Sequence, residues 1–188
     1  MLNARDMRNE LQFTLNFLRR PLQNASLVPS SAAASRAMLH GIDFSAIRSV
    51  VELGPGTGVF TKEILARCHP DAKILLVEVE ESYVRMLRGE FGPRVTIEHE
   101  GAHRLNELLK RHGMPKADLI VSGLPVSLPE PMRRMILQSI EEHTTEGAIF
   151  RFFTYNPLLM RRAYRTLPVR RISLVLKNFP PLWVYGIN

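Results

Sequence analysis

The 188-residue chain has one cysteine, Cys68, so it can form no internal disulfide. That usage fits a reducing compartment. No apolar run approaches the roughly 18 residues that a spanning helix needs. The first residues lack the apolar block of a signal peptide. The location expected is therefore cytoplasmic. There is no internal repeat and no low-complexity tract. Acidic residues are missing altogether from Gly147 to Asn188, while Arg151, Arg161, Arg162, Arg165, Arg170, Arg171 and Lys177 lie there. Residues 1–146 carry 18 basic and 18 acidic side chains, so the C-terminal region holds the entire net charge of +7. Such a region expects an anionic partner, either nucleic acid or a lipid headgroup surface.

What is present centres on V-V-E-L-G-P-G-T-G-V-F, Val50 to Phe60. Ser49 to Leu53 is short, β-branched and apolar, as in a buried parallel strand. A turn carrying Gly54, Gly56 and Gly58 follows, then a helix from Phe60 to Cys68. Glycines let a backbone adopt unusual dihedrals and approach a ligand closely. A helix opening just beyond offers free N–H groups to an anionic ligand end. The glycines do not spell the dinucleotide pattern G-x-G-x-x-G, because Val59 stands at its last position. No lysine followed by Ser or Thr makes a phosphate-binding P-loop. A glycine turn with no ligand remains open on this pattern alone. The next strand, Lys73 to Glu78, ends in an acid placed to accept two ribose hydroxyls.

The remaining pattern alternates. Helix is expected for Ala32 to Leu39 (closed by Gly41), from Ser82 as cap to Glu90, for Leu105 to His112 and for Glu130 to His143. A further helix opens with Asn156 as cap and Pro157 at the first helical position and is expected to run to about Thr166. Strands are expected for Val95 to His99, Ala117 to Ser122, Gly147 to Thr154, Arg171 to Leu176 and Leu182 to Ile187. Alternation of this kind gives an α/β fold with a mostly parallel sheet, covered by helices on both faces. The short link between the last two strands makes them antiparallel. The result is a seven-stranded Rossmann-like sheet. Leu2 to Leu22 reads as an amphipathic helix, with Met7, Leu11, Leu15, Leu18 and Leu22 on one face. It either packs on the core or lies in a membrane interface. Two units follow: an N-terminal helical segment, 1–41, and the ligand-binding domain, 42–188.

E-x-G-x-G-x-G resembles motif I of class I S-adenosylmethionine-dependent methyltransferases. Glu52 suits that cofactor, which carries an ammonium and a sulfonium. S-G-L-P, Ser122 to Pro125, is similar to the N-L-P-Y motif of ribosomal RNA adenine dimethyltransferases, with Gly123 in place of Asn and Val126 in place of the aromatic. The variant S-G-L-P, together with F-L-R-R-P-L-Q-N-A-S-L-V-P-S-S (Phe17 to Ser31) and the K-N-F-P-P-L-W-V-Y ending, resembles the soluble bacterial phosphatidylethanolamine N-methyltransferases. The resemblance covers nearly the whole chain. It implies S-adenosylmethionine as cofactor, S-adenosylhomocysteine as product, and phosphatidylethanolamine and its methylated forms as acceptors on the way to phosphatidylcholine. It places Glu52, Gly54, Gly56, Thr57, Gly58, Glu78, Val79, Glu100, Gly101, Ala102 and Ser122 at the cofactor, and Ser122, Gly123, Leu124, Pro125 and Tyr155 at the methyl transfer. The family usually carries an acid after the third strand to hold the adenine amino group. Here Gly101-Ala102 stands there, so Glu100 or the backbone of Ala102 is expected to substitute. The resemblance also makes the N-terminal helix a membrane-docking cover, and gives the basic C-terminal region an anionic inner membrane face as partner. Trp183 and Tyr185 are expected in packing. Arg161, Arg162 and Arg165 are candidates for a lipid phosphate. A nucleic-acid methyltransferase and a non-catalytic membrane-binding protein are the rival readings; Gly123 and Val126 speak against the first, the intact glycine turn and Glu78 against the second.

Overall fold

In the computed structural model, residues 32–176 and 180–188 are described. The expected helix over 2–22 lies outside them, as do Phe17 to Ser31. The elements in order are α1 (Ala32–Met38), β1 (Ser49–Leu53), α2 (Val59–Arg67), β2 (Lys73–Glu78), α3 (Glu81–Phe91), β3 (Thr96–His99), a 3-10 turn (Ala102–Arg104), α4 (Leu105–Arg111), β4 (Leu119–Ser122), α5 (Glu130–Thr145), β5 (Ile149–Thr154), α6 (Pro157–Ala163), β6 (Arg170–Val175) and β7 (Leu182–Ile187).

The seven strands form one sheet in the order β3-β2-β1-β4-β5-β7-β6. β1 to β5 are parallel, and β7 runs antiparallel between β5 and β6. The inner strands β1, β2 and β4 read as continuous apolar runs because both their faces are covered. Alternate residues feed two cores. Val51, Leu53, Leu75, Val77, Ile120, Phe150 and Phe152 meet Leu105, Leu108, Ile136, Ile140 and Met160 on one side. Val50, Ile74, Leu76, Leu119, Val121 and Val184 meet Met38, Phe60, Ile64 and Leu87 on the other. Asp118 fastens the lower ends of β1 and β4: its Oδ2 accepts from the N–H of Arg48 and Ser49 and from the Ser49 hydroxyl.

Several ends differ from expectation by one to three residues. β4 and β5 begin two residues later than the apolar run, because Ala117 and Ala148 are buried outside the ladder. Ser82 lies inside the first turn of α3 rather than capping it; Glu80 is the cap residue and the Ser82 hydroxyl bonds its carboxylate. The last helix stops at Ala163, short of Thr166. Its opening is as expected, with Asn156 Oδ1 accepting from Leu159 N at 2.9 Å ahead of Pro157. Tyr185 packs its ring on Phe152, 5.9 Å away, and Trp183 stands opposite Thr154 in the ladder.

Strand order reverses between β1, which leads outward to β2, and β4, which leads the other way. A sheet of this type binds its ligand outside the strand C-termini at that crevice. The segments leaving the sheet there are Gly54 to Gly58, Val79 to Glu80, Glu100 to Ala102, Gly123 to Val126 and Tyr155.

Candidate active site

β1 delivers Glu52 and then three residues with left-handed backbones, Gly54 (φ +67°), Gly56 (φ +55°) and Gly58 (φ +76°). Two have separate reasons to be glycine. At Gly58 a Cβ would lie 2.5 Å from the Phe91 ring. At Gly56 a Cβ would meet nothing within 4 Å, so only the left-handed backbone requires glycine, and open space lies above the turn. Gly58 then serves as the cap residue of α2, with no side chain bonding the helix end. Thr57 is exposed at the crest of the turn.

The two acids expected at the cofactor are both buried. Glu52 is fully enclosed; its Oε2 accepts from the Thr61 hydroxyl at 2.7 Å, and its Oε1 has no partner. Burial raises its carboxyl to about 7, against the pull of the Thr61 hydrogen bond and with some help from Glu78. Glu78, at the tip of β2, reaches across to the glycine turn. Its Oε2 accepts from Gly56 N at 3.1 Å, and its Oε1 from Val79 N at 2.8 Å and Glu80 N at 2.9 Å. Burial raises its carboxyl too, and the three N–H bonds oppose that. A carboxylate has about four acceptor sites, so Glu78 keeps capacity for a ligand hydroxyl. Half-buried Val79 accepts from the His99 ring through its carbonyl, at 3.0 Å.

At the tip of β3, Glu100 N donates to Glu78 O at 3.1 Å, which binds the two tips together. The Glu100 side chain is paired with the Arg104 guanidinium, which also holds Glu107 at 2.5 Å. Gly101 and Ala102 are buried at the start of the 3-10 turn. The ring of His103 lies over Gly101, and its buried Nδ1 has no partner.

The S-G-L-P turn leaves β4 directly against the glycine turn. Gly123 N donates to Leu53 O at 2.8 Å. A Cβ on Gly123 would stand 2.5 Å from Gly54 O, and one on Gly54 would stand 2.9 Å from the Leu124 side chain. The two turns are therefore shaped to one another, backbone on backbone. Ser122 is buried and its hydroxyl accepts from Leu124 N at 3.3 Å. Val126 is buried in the first core, where a base-stacking aromatic would have to be open to solvent. Pro125 accepts from Leu128 N through its carbonyl. Tyr155 stands half-buried after β5, edge-on to Phe153 at 5.7 Å; Phe153 in turn packs on Phe60 at 5.6 Å. This row of rings links the start of α2 to the tip of β5.

The structure thus brings the motif I turn, Glu78, the β3 tip and S-G-L-P to one edge. Thr61 and His103 were not singled out by sequence reasoning. Thr61 carries a weak signal, a hydroxyl on the otherwise apolar inner face of α2. The residues fit S-adenosylmethionine: an unpartnered buried carboxylate oxygen matches its positive charges, and the open space at Gly56 admits its close approach. Glu78 has acceptor capacity left for its ribose.

No protein-family model matches the chain. The ornithine lipid N-methyltransferase of Singulisphaera acidiphila is 34% identical over 184 residues, covering 95% of both chains. The ribosomal RNA small subunit methyltransferase A of Anaeromyxobacter dehalogenans is 36% identical over 99 residues, which span 48% of this chain but 34% of that protein. Among solved structures, the O-methyltransferase from Bacillus cereus in complex with SAH matches with a TM-score of 0.63 at 11% identity, covering 96% of this chain and 91% of that one. That likeness concerns the fold. The full-length match settles the assignment: this chain belongs, with the ornithine lipid N-methyltransferase, to a family of class I S-adenosylmethionine-dependent methyltransferases.

Proposed function

We propose that the enzyme methylates the headgroup amine of a membrane lipid. The observation that carries this is the β4 tip. Gly123 has no room for a side chain beside Gly54 O, and Val126 is turned into the core. Neither can bind and stack an adenine, so the tip suits a small, unstacked amine. The relative matching over 95% of the chain is named an ornithine lipid N-methyltransferase, whereas the match to the ribosomal RNA enzyme spans 48% of it. Phosphatidylethanolamine, the acceptor implied by the sequence resemblance, and ornithine lipid both present a primary amine.

The cofactor supplies an activated methyl group and a neutral sulfide leaving group. The protein's part is position and dryness. The headgroup nitrogen must be unprotonated to attack; its lone pair forms the N–C bond as the C–S bond breaks, and the proton lost from nitrogen passes to water. A dry pocket near the sulfonium lowers the amine's pKa. Buried Ser122 and the half-buried Gly123 to Pro125 turn limit water on one side, and Tyr155 offers an aromatic face to the methylated ammonium.

Exposed apolar and basic groups at the same edge suit a lipid surface. Leu158 in α6 is 77% exposed and Leu176, just after β6, is 72% exposed. β5 and β6 run in the same direction, so both leucines leave the sheet at the site's edge. Arg161 and Arg162 in the same helix as Leu158, and Arg165 just after it, are exposed. Each such cation contributes about 1 kcal/mol near an anionic membrane. Reversible docking on the inner membrane face follows, and no helix among the described residues is long and apolar enough to cross. The test is acceptor competition: labelled S-adenosylmethionine with vesicles of phosphatidylethanolamine or ornithine lipid, or with ribosomal RNA. Label in a lipid, and none in RNA, is expected; the reverse partition overturns the proposal.

A further inference from the structure

The cofactor reading assigns its ribose to Glu78 and its sulfonium to the β4 side. β3 is the next strand outward from β2, and its tip is bound to Glu78 through Glu100 N. A ligand lying across these tips therefore places its base at the β3 tip. No carboxylate is free there among the described residues. Glu100 is held by Arg104, and position 101 is glycine. One polar atom at that tip is unaccounted for: the buried, unpartnered Nδ1 of His103.

Its position is informative. A Cβ added at Gly101 would lie 2.5 Å from His103 Nδ1 and 2.5 Å from Cε1. An aspartate oxygen stands about 2.4 Å from its own Cβ, from ordinary C–C and C–O bond lengths. The imidazole thus fills space that a side chain at 101 would enter, with Nδ1 no farther from that Cβ than a carboxylate oxygen at 101 would be. We propose that His103 supplies the side-chain hydrogen bond to the amino group of the cofactor's adenine, in place of an acid at position 101. The inference rests on the β1–β3 edge being the cofactor site.

The chemistry agrees. A neutral imidazole has one nitrogen free to accept an N–H. Burial, followed by the neighbouring Arg104 charge, lowers the His103 pKa below its ordinary value and keeps the ring neutral. A buried nitrogen without a partner is costly, and a ligand that supplies one recovers that cost. Gly101 places no side chain against the ring, so the ring can occupy this place at the β3 tip. The glycine that looks like a lost function is then the condition for a different residue to perform it.

The test is calorimetric binding of S-adenosylhomocysteine and of its analogue lacking the 6-amino group, which keeps the ribose and amino-acid ends. Wild type is expected to prefer the amino form by about tenfold, the scale of one hydrogen bond. His103→Phe keeps a ring over Gly101 and removes the acceptor; it is expected to bind both ligands equally. The exchange Gly101→Asp with His103→Ala should restore the preference, because removing the ring clears the space for the carboxylate. The ratio of the two affinities is insensitive to general weakening, and His103→Leu, which also lacks an acceptor and is likewise expected to bind both ligands equally, provides a second variant should the phenylalanine fail to fold. An unchanged ratio in His103→Phe overturns the role of His103 alone. Failure of wild type to bind either ligand overturns the cofactor assignment with it.

Discussion

Replacing Glu52 with glutamine removes a carboxylate that titrates inside the protein. Its pKa is raised by burial to about 7 from an ordinary 4.5. The native state therefore holds this proton at pH values where the unfolded chain has released it. A raised acid contributes no penalty below the unfolded pKa. As pH rises from 4.5 through 7, the native state alone must still hold or bury the charge, and stability falls. At 1.36 kcal/mol per tenfold change in proton activity, the loss is about 3 kcal/mol by pH 8. Glutamine can still accept from the Thr61 hydroxyl, but its amide nitrogen enters the position of the unpartnered Oε1, giving an offset independent of pH. The test is urea denaturation of both proteins at pH 4.5 and pH 8. The difference, variant minus wild type, should rise by about 3 kcal/mol between the two pH values. Parallel curves would refute the claim that Glu52 is buried with a raised pKa.

The same carboxylate should release a proton when the cationic cofactor binds near pH 6.5, measurable as a buffer-dependent binding enthalpy; no dependence on buffer would count against Glu52 facing the positive charge. Gly123→Asn places a side chain against Gly54 O, so a loss of about 1–3 kcal/mol in stability is expected from overpacking, with cofactor affinity falling alongside. Leu158→Ser with Leu176→Ser should weaken binding to anionic vesicles several-fold in sedimentation while leaving S-adenosylhomocysteine binding intact. Arg151 is buried in β5, its guanidinium bonding the carbonyls of Phe150 and Ile187 and the side chain of Asn188, and burial lowers its pKa to about 10. Arg151→Ala should cost about 2–4 kcal/mol by leaving a cavity and freed acceptors, seen as a lower urea midpoint.

The parallel strands were legible because buried strands have to be apolar along their whole length, and the glycine turn because three left-handed residues in five leave few alternatives. Glu78 could be read from its place at a strand end. Other parts depend on three-dimensional placement. Nothing in the spelling of Glu52 says that it is enclosed and held by Thr61, since the contact joins a strand to a helix face. Glu100 reads as a free acid until Arg104 is seen folding back over one turn of chain. His103 reads as one polar residue in a loop, and acquires meaning from the missing side chain at Gly101. The fit between Gly123 and Gly54 O joins turns 69 residues apart, so the exclusion of asparagine at 123 has a cause that no local pattern contains.

The most direct measurement is methyl transfer from labelled S-adenosylmethionine to vesicles containing an amine-bearing lipid, with and without anionic lipid, alongside Glu52→Ala. Label recovered in the lipid phase, stimulated by anionic lipid and lost in the variant, is the predicted result. Cofactor bound but no label in any lipid would contradict lipid methylation and return the acceptor question to the β4 tip.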